Sequence, residues 1–403
     1  MKSEISVYIH IPFCRSKCSY CDFFSKPGIE NLIDAYVDSL CREIEFYSTG
    51  SQKFLLKTLY IGGGTPSLLS INQLSRIFSV LQNCFKICGE GFEATIELNP
   101  DDVSKELIEF LNQSFITRIS LGIQSLKQKT LSAMCRRATR ETSLKALSII
   151  SENFTKRFSA DLIAGFPGES EKDVKENIDE LLEYSPEHIS LYSLCVEEGT
   201  LLYRQIESEK IPFDQSESDS VWLSAKTYLE KKNFFQYEIS NFSKSEKTQS
   251  RHNLTYWHLE NYLGFGSGAT GSLFFEEHKG IRYTNTDDIE KYISFWKREG
   301  YTNLDFSDYD KMIFHFENIP CCLEKIDYET EEFEFLMMNF RLREGVSSVN
   351  YKKRFDRNLE TRLGLNDGLF KEWKDKGLAE CKGDFFRLNE TGILFLNSFL
   401  ESL

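Results

Sequence analysis

Six apolar, strand-like runs, near residues 5–12, 57–62, 92–98, 117–122, 158–164 and 188–194, recur through the first half of this 403-residue chain. Helical periodicities lie between them: Ile33, Tyr36, Val37, Leu40 and Ile44 in one, Ile71, Leu74, Ile77, Phe78 and Leu81 in another. Apolar residues three and four apart mark an amphipathic helix, so the alternation reads as strand–helix units in series. Strands joined through a helix run parallel, with right-handed crossovers. Six units are too few to close an eight-stranded barrel, and the expected fold is therefore α/β, a splayed, partial (β/α)6 barrel. A helix near 216–232 and a strand near 235–241 are read as extensions of its sheet.

Reactive groups of such sheets gather at the C-terminal strand ends. Here the first strand runs into Tyr8-Ile-His-Ile-Pro-Phe-Cys14-Arg-Ser-Lys-Cys18-Ser-Tyr20-Cys21. Three closely spaced thiolates can hold three corners of an iron–sulfur cube and leave the fourth iron open. The rival is zinc, which wants a closed tetrahedron, and His10 is near enough in sequence to be its fourth ligand. His10 sits on a strand, however, where its ring is expected to turn into a pocket or the barrel wall.

Gly62-Gly63-Gly64-Thr65-Pro66-Ser67 follows the second strand. Alone it reads as a tight turn; beside a cysteine strand it reads as backbone brought close to a polar ligand. Glu97 closes the third strand, Gln124 the fourth, and Asp161 lies on the fifth. Carboxylates on apolar strands are costly unless each meets a hydroxyl or a cation. Ribose hydroxyls would serve, and a buried salt bridge to Arg136 or Arg118 is the alternative.

The formal charge of −14 argues against a general nucleic-acid-binding surface. Nothing approaches 18 consecutive apolar residues, and the chain enters a strand within about six residues, so a cytoplasmic protein without spanning helix or signal peptide is expected. Eleven cysteines, an odd number, fit reduced thiols. Cys84-x3-Cys88 reads as a helix end and its loop, and Cys321-Cys322 as buried filler. The barrel is assigned to 1–240. A connecting segment at 241–300 carries Arg251-His252-Asn253-Leu254-Thr255-Tyr256-Trp257 and a glycine run ending at Gly271, with no strand–helix pair bracketing it. Residues 301–403 read as a mainly helical, winged-helix-like domain closed by a hairpin and a helix, with an interaction or lid role.

The C-x3-C-x2-C loop resembles that of the radical S-adenosylmethionine (SAM) superfamily. Nearly the whole chain resembles its HemN/HemW group, through Tyr8-Ile-His-Ile-Pro-Phe-Cys, Gly62-Gly-Gly-Thr-Pro-Ser, Arg118-Ile-Ser-Leu-Gly-Ile-Gln-Ser, Asp161-Leu-Ile-Ala-Gly-Phe-Pro-Gly, His188-Ile-Ser-Leu-Tyr-Ser-Leu, Tyr237-Glu-Ile-Ser-Asn-Phe and Leu342-Arg-Glu-Gly. The resemblance implies a [4Fe–4S] cluster on Cys14, Cys18 and Cys21. It also implies a SAM cavity lined by Tyr8, Tyr20, Gly63, Gly64, Thr65, Glu97, Gln124, Arg136, Asp161 and Cys195.

The group contains oxygen-independent coproporphyrinogen III dehydrogenases and haem chaperones. Phe23 stands where the dehydrogenases carry a further cysteine, the chain begins close to strand one, and His252-Asn253-x-x-Tyr256-Trp257 matches a motif of the chaperone branch. The implied function is a haem chaperone that binds haem, cluster and SAM and passes haem to acceptor proteins. Coproporphyrinogen III oxidation is the alternative, and a radical methyltransferase fits less well because no methyl-accepting cysteine is identifiable. Haem is expected on His252, Tyr256 and Trp257, with His258 as the fallback ligand. From the residues alone, the favoured reading is that His252 hydrogen-bonds in a loop walling the SAM site, with Trp257 in the core; the haem reading comes from the resemblance. An electron donor for the cluster is implied as a further partner, and a homodimer or peripheral contact with membrane haem proteins is compatible with the group.

Overall fold

The computed structural model describes residues 4–48, 54–87, 89, 91–297, 304 and 306–403. The six runs form strands β1 (Glu4–Ile11), β2 (Leu55–Gly63), β3 (Glu93–Leu98), β4 (Arg118–Gln124), β5 (Arg157–Ala164) and β6 (His188–Ser193). They pair in chain order and all in parallel. Helices Ile33–Ser48, Ile71–Cys84, Lys105–Gln113, Arg140–Asn153 and Glu171–Leu182 connect them. The exits are punctuated by residues that cap orphan amides: Ser70, Ser104, Thr139 and Ser170 each accept from a first-turn N–H. Each such cap stabilises its helix by about 1 kcal/mol. Cys84 ends its helix as expected, and Cys88 lies outside the described residues.

Side chains alternate across each strand with period two. Ile5, Val7, Ile9 and Ile11 are buried in the same core as Val37, Leu40 and Ile44. The alternate positions are polar. Ser6, His10, Thr58, Glu93, Thr95, Ser120, Ser159, His188 and Ser190 are all buried. A parallel sheet covered on both faces would be apolar on both. This one keeps its polar face for the interior of the barrel, where the hydroxyls bond one another: Thr58 to Ser6 at 2.9 Å and Ser120 to Ser159 at 3.0 Å.

The sheet continues beyond the six units on both sides. The helix expected near 216–232 is Gln215–Lys231. The strand expected near 235–241 is instead two short strands, β7 (Phe235–Gln236) and β8 (Asn241–Ser243), with β8 antiparallel to β6. The buried Glu238 interrupts the run by turning its carboxylate to the Ser240 N–H at 3.3 Å.

On the opposite edge, β9 (Tyr262–Phe265) lies parallel to β1, followed by β10 (Thr270–Phe274), β11 (Gly280–Asn285) and β12 (Cys321–Ile326), all antiparallel. Among the described residues the order is β12-β11-β10-β9-β1-β2-β3-β4-β5-β6-β8-β7. The segment 241–300, read from sequence as a connecting segment, therefore supplies β8 and, among the described residues, three further strands of this sheet, β9 to β11, and the sheet runs through both expected boundaries at 240 and 300. The glycines concealed them. A Cβ on Gly264 would lie 2.0 Å from the Thr270 carbonyl oxygen, and one on Gly271 would lie 2.4 Å from the Tyr283 ring. Close approach demands glycine there, and glycine erases the propensity by which a strand is recognised. Cys322 on β12 is exposed and Cys321 half-buried, so the pair is not the buried filler expected.

A second core forms around Leu336, Phe340, Tyr351, Phe370 and Phe399. It joins helices Tyr328–Asn339, Ser348–Phe355 and Leu369–Asp375 to a small sheet of β13 (Val346–Ser347), β14 (Ala379–Lys382) and β15 (Phe385–Leu388). Hairpin and closing helix, Leu396–Leu400, lie where the sequence places them. Arg354 ties this unit to the barrel side, bonding Glu331 at 2.7 Å and the Leu259 carbonyl at 2.9 Å.

Candidate functional site

The C-terminal ends of β1 to β6 surround one cavity of about 440 Å³. The loop after β1 brings Cys14, Cys18, Tyr20 and Cys21 to its wall; β2 brings Gly63, Gly64 and Thr65; β3, β4 and β5 bring Glu97, Gln124 and Asp161. Arg136 and Cys195 complete the expected set. Tyr8 does not line this cavity. Its hydroxyl lies 2.9 Å from His10 Nδ1, behind the wall.

The cysteine loop is pinned at its centre. Ser19 donates its N–H to the Met134 carbonyl at 2.9 Å and its hydroxyl to Ala133 at 3.1 Å. The three cysteines are half-buried with free thiols, and Cys14 Sγ lies 3.4 Å from Thr65 Oγ1. His10 is no fourth ligand. Its Nε2 lies 2.9 Å from the Phe24 carbonyl, which only accepts, so Nε2 carries the proton and Nδ1 accepts from Tyr8. The loop thus brings three cysteine thiols to one cavity wall, a donor set whose chemistry suits a cube with one open corner.

The glycine run presses against the cysteine strand. Gly63 holds φ +111°, and a Cβ there would lie 2.7 Å from the His10 ring. On Gly64 it would lie 2.6 Å from the Phe13 carbonyl oxygen. No other residue fits either position.

Glu97 accepts from the Tyr60 hydroxyl at 2.7 Å and from the Gly63 N–H at 3.2 Å, and burial pushes its pKa up to about 7. Asp161 accepts from Ser120 Oγ, and burial raises its pKa too. Neither carboxylate forms an ion pair among the described residues. Arg118 instead lies 3.9 Å from Glu93, and Arg136 donates to Asn99 Oδ1 at 3.0 Å and the Gly122 carbonyl at 2.5 Å. The salt-bridge alternative is therefore not what satisfies these acids.

Two atoms on the wall remain open: Gln124 Oε1 and Arg136 Nε are buried without a hydrogen-bond partner. Gln124 moreover sits at φ +64°, a strained conformation for a side-chain-bearing residue. Buried polar atoms without partners on a cavity wall fit a polar ligand that supplies those partners. Donor set, crowded glycines and open polar atoms all suit a cluster with SAM beside it.

Sequence reasoning passed over Tyr60, Ser120 and Tyr192, which hold or flank the two carboxylates. The polar alternation Thr58-x-Tyr60 and Arg118-x-Ser120 on otherwise apolar strands is the signal that marks the first two.

The His252 segment lies elsewhere, on helix Arg251–Trp257. His252 is buried, its Nδ1 2.8 Å from Thr58 Oγ1 and its Nε2 2.7 Å from the Tyr256 hydroxyl. Burial lowers its pKa to about 3. Expected as an iron ligand, it has neither nitrogen open to a metal in this arrangement. Tyr256 and Trp257 are half-buried; the Trp257 ring lies 6.0 Å from the Arg341 guanidinium, and its N–H has no partner. His258 is half-buried, 3.8 Å from Glu344. It lines a second cavity of about 320 Å³ at the N-terminal strand ends, with Leu55, Lys57, Phe92 and Leu254.

Known proteins share this organisation. The sequence model of the radical SAM superfamily matches residues 8–181, and that of the HemN C-terminal domain matches 326–395. A heme chaperone HemW of Bacillus subtilis is 30% identical over 97% of each chain. One of Lactococcus lactis is 34% identical over 72% of this chain and 73% of its own. The solved coproporphyrinogen III oxidase HemN of Escherichia coli superposes on 100% of this chain and 90% of its own, with a TM-score of 0.79 at 17% identity, a likeness of fold. Cysteine loop, glycine run and polar barrel interior thus stand in a chain that matches a relative from end to end, and the protein belongs to the HemW family of the radical SAM superfamily.

Proposed function

We propose that this protein is a cytoplasmic haem chaperone that holds a [4Fe–4S] cluster on Cys14, Cys18 and Cys21, binds SAM in the adjoining cavity, and delivers haem to acceptor proteins. One observation carries the reading: the near-complete coverage, 97% of both chains, with a relative named as a heme chaperone. Phe23 adds to it. It is 73% exposed at the cavity rim, where the dehydrogenase branch would carry a further cysteine.

The cluster, when bound, supplies an iron with an open coordination position at the cavity wall. The chain's own residues do the rest. Glu97 and Asp161 act as charged acceptors for polar groups of SAM, Gln124 and Arg136 offer an open acceptor and an open donor, and the glycine run admits the ligand to the backbone. For haem, His258 is the ligand that needs no rearrangement, since His252 would first have to break both of its ring hydrogen bonds. Trp257, next to it in sequence, has an unpartnered ring N–H and a flat face to offer, whereas Tyr256 turns its hydroxyl to His252 and its ring to Tyr262. An electron donor for the cluster and the acceptor proteins are the partners this role requires.

The test is anaerobic: reconstituted protein is titrated with haem and then mixed with an apo-haem acceptor. Growth of a saturable Soret band, followed by its transfer, supports the role. A featureless, non-saturating titration contradicts it.

A further inference from the structure

His252 and Glu97 stand at the two ends of one continuous line of contacts. Thr58 gives its single hydroxyl proton to Ser6 at 2.9 Å, so its oxygen can only accept from His252, 2.8 Å away. That places the imidazole proton on Nδ1 and leaves Nε2 to accept from the Tyr256 hydroxyl at 2.7 Å. A ring held at both nitrogens has one orientation. Its face lies against Tyr60, with centroids 5.2 Å apart and planes 28° from parallel. Tyr60 in turn donates to Glu97 Oε1 at 2.7 Å, inside the cavity.

There is no slack in this line. Tyr60 is also stacked by Tyr8, at 6.3 Å and 29°. A Cβ on Gly62 would lie 2.8 Å from Tyr60 Cε1 and 2.9 Å from Glu97 Cδ, so both side chains are packed against bare backbone. The Tyr60 hydrogen bond also favours the charged form of Glu97 against the burial that disfavours it.

We propose that His252 is a positioning residue for the SAM cavity: through its stack on Tyr60 it fixes the Glu97 carboxylate that receives SAM. This rests on the reading of the cavity as a SAM site. It gives the histidine of the His252-Asn253-x-x-Tyr256-Trp257 motif a task in holding the SAM cavity.

The experiment measures SAM affinity by calorimetry, and the SAM-induced change in the EPR spectrum of the reduced cluster, in anaerobically reconstituted full-length protein. The variants are His252→Ala, His252→Phe, Tyr60→Phe and the double variant H252A/Y60F. We expect His252→Ala and Tyr60→Phe each to weaken SAM binding about tenfold, at unchanged iron content. Because both act through one hydroxyl, the double variant loses no more than the weaker single. His252→Phe, which restores a ring against Tyr60, recovers part of the affinity although it cannot ligate iron. Unchanged affinity and EPR response in His252→Ala, or losses that add in the double variant, overturn the proposal. Should His252→Ala fail to fold, Tyr60→Phe and His252→Phe decide: wild-type affinity in the first, or no recovery in the second, is equally fatal. A loaded wild-type protein that shows no SAM response contradicts the SAM site itself, and is recognised before any substitution is made.

Discussion

The Ser120 hydroxyl lies 3.2 Å from Asp161 Oδ1 and 3.1 Å from Oδ2, so one donor on β4 faces both oxygens of the carboxylate on β5. The acid is thereby held facing the cavity, with acceptor capacity to spare for a ligand. Asp161→Asn should weaken SAM binding by about 1.5–3 kcal/mol, the scale of a hydrogen bond to a charged group. Calorimetry on Asp161→Asn and Glu97→Gln checks this. Wild-type affinity in both would remove these acids from the SAM site.

The cysteine loop makes the second prediction. Cys18 lines the cavity, whereas Cys84 ends the helix Ile71–Cys84 away from it. Cys18→Ala should abolish reconstitution of roughly four irons per chain, because two thiolates do not retain the cube. Cys84→Ala should leave iron content unaltered. Equal losses in the two variants would show that the cluster is held elsewhere.

A third prediction concerns pH and lies outside the site. Glu43 is fully buried, accepting from the Gly266 N–H and Asn285 Nδ2, each at 2.8 Å, and from the Tyr292 hydroxyl at 2.5 Å. Burial nevertheless raises its pKa from 4.5 to about 7. Between these values the folded chain holds a proton that the unfolded chain has released, so stability falls as pH rises through the window and levels off above it. The contribution is on the order of 3 kcal/mol. Urea unfolding at pH 5 and pH 8 should therefore show a smaller pH-dependent loss in Glu43→Gln than in wild type. Identical losses would mean that Glu43 is ionised throughout.

Much of this fold is legible in the sequence because the βα units obey two periodicities at once. The outward faces of β1 to β6 are apolar at every second residue, and the helices repeat every three to four, so the six strands fall within a few residues of their expected positions. The strands β9 to β11 are hidden in the sequence for a steric reason: Gly264 and Gly271 are glycines because Thr270 and Tyr283 occupy the space of a side chain. The site was legible where spacing carries it, as with Cys14, Cys18 and Cys21. It was not legible where tertiary contacts decide. Nothing local says that Tyr8 turns to His10 rather than the cavity, or that Thr58 occupies the Nδ1 nitrogen of His252.

Haem ligation gives the fourth prediction. With both His252 nitrogens engaged and His258 at the margin of the second cavity, His258→Ala should lower haem affinity or shift the Soret band while leaving the cluster spectrum unaltered. His252→Ala should alter the SAM response first. A Soret change confined to His252→Ala would reverse these assignments.

Chaperone and enzyme are separated most directly by offering one anaerobically reconstituted preparation haem in one arm and coproporphyrinogen III with SAM and a reductant in the other. The account predicts saturable haem binding near one per chain and no decarboxylated product. Multiple-turnover formation of protoporphyrinogen IX, without a saturable haem site, would contradict it.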